Sequence, residues 1–127
     1  MSFTNFLETE ILDHVFAGAA YSAPGTHYLA LFTAISDGEA GSVTELSGSA
    51  YARQSVAFTT SGDTTSNNAA VEFPTATGSW GTVTHVGVYD ASTSGNLMAY
   101  ATLSSSKAID TGDVFRVPSG DLDITLN

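Results

Sequence analysis

Three sets of residues are of a type that could do chemistry: many serines together with His14, His27 and His85, the acid pairs Asp110/Asp113 and Asp121/Asp123, and aromatics with a single tryptophan, Trp80. Nucleophilic hydrolysis needs a serine activated by a histidine that an acid orients. No G-x-S-x-G elbow presents such a serine, and in a chain this rich in serine the co-occurrence of Ser, His and Asp carries no information. No catalytic residue is therefore assigned, and the chain is not expected to be an enzyme. The three histidines share neither a helix face nor a strand face, so their spacing gives no ligand pair. The acid pairs offer the oxygens that calcium takes, but the D-x-[DN]-x-[DN]-G loop does not occur. Asp121 and Asp123 read instead as charges that keep one strand face soluble and blunt a sheet edge. No metal and no cofactor is expected. Aromatic rings would suit a sugar platform, yet most Tyr and Phe fall at alternating positions where they fill a core. Trp80, between Ser79 and Gly81 just ahead of a strand, caps the core or anchors a partner.

Composition narrows the partners. The 127 residues carry 13 Asp+Glu against 3 Lys+Arg, a net charge of −10, and no cysteine. Disulfides and thiolate zinc are thereby excluded. Arg53, Lys107 and Arg116 are scattered, so no basic stripe exists to neutralise phosphates, and neither nucleic acid nor a membrane surface is an expected partner. Charged residues are only 13% of the chain, about half the usual share of roughly 25%. Mean hydropathy is +0.10 and 10% of residues are aromatic, which favours a packed core over disorder. A surface of hydroxyls and amides is one that other protein can cover with little desolvation of ions, as an assembly subunit requires.

The elements that must position these residues follow from periodicity. Leu7, Ile11 and Val15 recur every fourth residue, with Phe6 and Phe16 widening the stripe, and predict an amphipathic helix over about 5–17. Asn5 is the expected N-cap, Glu8 the reach-back residue and Gly18 the stop. The small residues that close Ile11–Ala20 do not make a signal peptide, because Glu8, Glu10 and Asp13 interrupt the apolar segment and no basic residues precede it. No run approaches the roughly 20 apolar residues of a transmembrane helix. Beyond Pro24-Gly25 the period becomes two. Strands are predicted at Tyr28–Thr33, Tyr51–Thr59, Ala69–Phe73, Val83–Asp90, Leu97–Leu103, Val114–Val117 and Leu122–Leu126. Asp90–Asn96 and Asp110–Asp113 read as turns, and Asp37–Ser49 as a long exposed loop. Seven short strands without intervening helices predict a mainly β fold, an antiparallel β-sandwich of jelly-roll type with one N-terminal helix. A single structural domain over 1–127 is expected, with the sandwich over about 27–127. Within Val83–Asp90, His85 alternates against Val86 and Val88 and shares a face with Val83, Gly87 and Tyr89. It is a hydrogen-bonded histidine on the less buried face or a contact between subunits.

The run Trp80-Gly81-Thr82-Val83-Thr84-His85-Val86-Gly87-Val88-Tyr89-Asp90 resembles a family of small tailed-phage virion proteins, often labelled tail fibre proteins. The likeness extends to Phe6–Phe16, Tyr28–Thr33 and Tyr51–Gln54, and so covers nearly the whole chain. It implies a structural subunit on the surface of the virion, made in the bacterial cytoplasm. No coiled coil or repeat supplies a stalk, and this favours a capsid decoration, or cement, protein that clamps the major capsid protein. It would act as a homo-oligomer, a trimer or hexamer, because closed rings satisfy heterologous contacts. The alternative is a tail-associated protein, a fibre base or tail-tip adaptor, with glycan binding as a further possibility. The residues expected at subunit contacts are Arg53, Trp80, His85, Phe6, Glu39 and Glu45. Arg53 pairs with an acid of its own or of an adjacent subunit. If it lies at an interface, Arg53→Ala weakens assembly and leaves the stability of the monomer almost unchanged; a local surface pair is worth under about 1 kcal/mol.

Overall fold

The computed structural model describes residues 1–126. The chain is mainly β, with antiparallel sheets and one helix near the N-terminus. Among the described residues there are eleven strands where periodicity marks seven: β1 Ser2–Phe3, β2 His27–Asp37, β3 Ser42–Glu45, β4 Gln54–Val56, β5 Phe58–Ser61, β6 Thr64–Asn67, β7 Val71–Glu72, β8 Gly81–Tyr89, β9 Leu97–Ile109, β10 Arg116–Val117 and β11 Asp123–Thr125. The helix, α1, spans Asn5–Phe16.

One six-stranded sheet organises the rest, in the order β1-β9-β8-β2-β3, with β4 paired to the first residues of β2. Its central strands are the longest apolar runs. Leu29, Ala30, Leu31 and Phe32 are all buried, so β2 is covered on both faces, which is why it reads as continuous rather than alternating. Leu29, Leu31, Val83, Val86 and Val88 face the larger core, closed by Phe73, Trp80, Phe115, Val117 and Leu122 from outside the sheet. The two-stranded β10-β7 and three-stranded β11-β6-β5 sheets form this second layer. Ala30, Phe32, Tyr89 and Leu97 face the other way and make a smaller core with Ile35, Val43 and Tyr100.

Three sequence-based expectations change, and β6 has no counterpart among the predicted strands. The Asp37–Ser49 stretch is not an open loop: Ser42–Glu45 returns along β2 as a hairpin, with Val43 in the smaller core. A single apolar residue in a polar run is too weak a signal for an edge strand. The all-polar β6 is held by a two-residue turn in which Gly62 takes φ 64°. Thr4, not Asn5, caps α1. Its buried hydroxyl accepts from the Leu7 amide at 3.4 Å and donates to the Leu97 carbonyl at 2.6 Å, so the same atom caps the helix and docks it on β9. Finally, Val83 does not share a face with His85. The β8–β9 register shifts between Val83 and His85, where the four residues Leu103–Ser106 of β9 stand opposite the single Thr84 and bulge out. The shift turns Val83 into the larger core beside Val86 and Val88.

Candidate functional site

Three of the six residues expected at contacts meet in one network. Glu45 at the end of β3 receives Arg53 through two parallel hydrogen bonds, Nε to Oε2 at 2.9 Å and Nη2 to Oε1 at 2.8 Å. This is the bidentate fork that guanidinium and carboxylate geometry favours. The remaining nitrogen, Nη1, donates to the Ala91 and Ser94 carbonyls at 2.9 and 2.8 Å, and so ties down the turn between β8 and β9. The guanidinium carbon lies 3.5 Å from the centre of the Tyr89 ring, close enough for a cation–π contact. Burial works against the charge on Arg53, but the Glu45 hydrogen bonds and negative charge, with smaller contributions from Tyr89 and Tyr51, together outweigh it and hold the guanidinium more firmly protonated. The side chains of Arg53 and Glu45 are only 7% and 23% exposed. Arg53 is therefore committed inside its own chain, and the surface ion pair is corrected to a largely buried one.

Tyr51 joins this network to Trp80. Its hydroxyl donates to Glu45 Oε2 at 2.7 Å and accepts from the Leu31 amide at 3.1 Å. Burial, and then the Glu45 hydrogen bond, push this hydroxyl far above its ordinary range. Its ring stacks on Phe73 and meets Trp80 edge-on at 5.6 Å. Trp80 is buried at the end of the core, and its Nε1 donates to the Ser49 carbonyl at 2.9 Å. Tyr51 is the residue that sequence reasoning missed. The signal was its place two residues before an arginine in an otherwise polar stretch.

Phe6 and Glu39 meet at a second place, a cleft of about 290 Å³ between the start of α1 and the β2–β3 turn. There the Asn5 amide donates to the Glu39 carbonyl at 3.0 Å, and the Tyr100 hydroxyl donates to Glu39 Oε1 at 2.5 Å. That hydrogen bond raises the Tyr100 hydroxyl to about 12. Gly38 has no room for a side chain, because a Cβ would lie 2.5–2.8 Å from the Tyr100 ring. His85 joins neither cluster. It is half-buried on β8, its Nδ1 2.7 Å from the Thr84 hydroxyl, which itself reaches the Thr33 carbonyl.

Another polar hub lies under the small sheets. Buried Asn67 donates from Nδ2 to the Ala69 and Pro118 carbonyls and accepts at Oδ1 from the Leu122 amide, each at 2.9 Å. Among the described residues no three His, Asp or Glu side chains gather as a metal site requires. Asp113 accepts from the Asp110 amide and Asp123 from the Ser66 hydroxyl, so these acids hold turns and strand edges. No described helix is long and apolar enough to cross a membrane.

The fold and its contacts define a mainly β, antiparallel module whose β8–β9 turn is tied down by polar contacts within the chain. The family described as Podophage GP4 fiber I protein gp80 matches residues 2–125, and the chain belongs to it. It is thus a virion-associated protein of the phage fibre type. No curated protein matches the sequence.

Proposed function

We propose that this chain is a tail-associated structural protein of a bacteriophage, a fibre module or the adaptor that carries one, and that it works as a homo-oligomer without catalysing a reaction. The observation that carries this reading is the family match over residues 2–125, whose description is that of a fibre protein. Capsid decoration, to which the lack of a stalk pointed, receives no comparable support. The geometry is consistent with a passive role: Arg53, Glu45 and Tyr51 border an open cleft of about 460 Å³, but their polar groups satisfy one another there. With a net charge of −10, the partner is another protein rather than nucleic acid or an anionic membrane.

Immunogold labelling of assembled particles tests the location. Gold confined to tails supports the proposal, and gold spread over capsid faces overturns it in favour of the cement role. Sedimentation velocity on the purified chain tests self-association.

A further inference from the structure

With Arg53 committed to Glu45, two basic residues of the chain remain, Lys107 and Arg116, and both line one cleft. This cleft of about 450 Å³ lies between β9 and the segment that runs from Phe115 to Asp123, within the roughly 300–1,000 Å³ of ligand-sized sites. Neither cation is locked in place. Lys107 is exposed, with its Nζ 6.0 Å from the centre of the Phe115 ring. Arg116 lies 3.8 Å from Glu72, and the two side chains are 53% and 64% exposed, so water screens the pair and a second carboxylate can share the guanidinium. Of the two acids at the cleft, Asp123 turns its carboxylate to the Ser66 hydroxyl on the outer face of the β11-β6-β5 sheet, opposite to Ile124. Among the residues that line the cleft, two cations thus stand against one free carboxylate, Asp121, in a chain whose net charge is −10.

The same cleft exposes unpaired backbone. β1 pairs only with Ala99 and Tyr100, so from Ala101 to Ala108 the outer edge of β9 has no strand beside it among the described residues. Leu103–Ser106 lack partners on β8 as well, because all four stand opposite Thr84. Main-chain groups at an open edge bind an extended chain, and the bulge interrupts the regular ladder that would admit any strand. Selection then falls to the two cations. We propose that this cleft receives an extended, acidic segment of another protein of the particle, which lies along β9 and sets carboxylates against Lys107 and Arg116, an inference that rests on the protein partner proposed above. A second copy does not supply such a segment. Residues 17–26, 46–53 and 73–80, the long irregular stretches of this chain, contain no acid, and its acids lie on α1, on paired strands or in turns.

Fluorescence anisotropy tests this with three labelled peptides, each long enough to span Ala101–Ala108: one alternating glutamate and threonine, one with lysine in place of glutamate, and the acidic one N-methylated at alternate amides so that one edge cannot pair. The parent chain should bind the acidic peptide at least tenfold tighter than either of the others, and more weakly as salt is raised, opposite to the salt dependence of like-charged copies that associate. Lys107→Glu with Arg116→Glu, both at exposed positions, should keep the Tm, weaken binding of the acidic peptide at least tenfold and take up the lysine peptide instead. Should that double variant not fold, Lys107→Gln alone should weaken binding at least threefold. Equal binding of the N-methylated peptide, undiminished binding by the variants, or no binding of the acidic peptide overturns the proposal. Preference for an oligogalacturonate over the acidic peptide overturns it in favour of an anionic glycan. Each of these failures leaves the tail location, read by gold labelling, and self-association, read by sedimentation, as they stand.

Discussion

At Arg53 the local chemistry decides what a substitution does. Removing the guanidinium strands Glu45, which still reaches water, and frees the Ala91 and Ser94 carbonyls. Breaking a buried pair by one partner costs about 3–5 kcal/mol, and the partial exposure of Glu45 lowers this to about 2–4. Arg53→Ala should therefore lower the denaturant midpoint of the monomer markedly, a result opposite to the unchanged stability expected of an interface residue. Tyr100 gives a pH prediction. A hydroxyl raised to about 12 by Glu39 favours the fold while protonated, so its contribution is whole below the ordinary value near 10 and is lost as pH rises toward 12. Ultraviolet titration of tyrosinate should show a late-ionising group that Tyr100→Phe removes. These pairings were not legible in the sequence, because Arg53 and Glu45 are eight residues apart and Tyr100 and Glu39 sixty-one. Arg53 stood out as one of three basic residues, and Glu39 and Glu45 only as members of a stretch read as an exposed loop; the fold showed that their partners lie in the same chain.

Among the elements, the apolar strands were the most legible and the polar ones the least. Tyr28–Thr33, Val83–Asp90 and Leu97–Leu103 fall on β2, β8 and β9, all but Asp90, because burial writes runs of apolar and β-branched residues into the sequence. β3 and β6 lack that signature, and their pairing is set by a neighbouring strand and a turn; Gly62-Asp63 was the available clue for β6. Close packing of the central strands yields a prediction. A Cβ at Gly87 would lie 2.6 Å from both Leu97 Cδ1 and the fully buried Phe32 ring. Gly87→Ala should destabilise by about 1–3 kcal/mol in thermal or denaturant unfolding, since neither neighbour has free space to move into. Helix α1 behaves differently. Its periodicity predicts a stripe packed from Leu7 to Val15, yet only Leu7 is buried, because Thr4 and Leu7 dock the first turn on β9 and the rest extends past the sheet.

For the whole molecule, charge sets the conditions of assembly. Copies with a net charge of −10 repel beyond contact range, and the screening length falls from about 30 Å at 0.01 M salt to about 3 Å at 1 M. Raising ionic strength should therefore strengthen self-association in sedimentation velocity, whereas chelators and reductants should leave it unchanged; association that weakens with salt would contradict the prediction. Composition and periodicity alone determined the mainly β class, the N-terminal helix and a chain without thiol chemistry. Those properties depend on residue type and short-range spacing, which a linear sequence carries directly. The eleven-strand topology, the burial of Arg53 and the Asn67 hub were decided only by tertiary structure. Each depends on residues far apart in the chain, and their meeting is selected by packing of the whole core, to which no local pattern gives access.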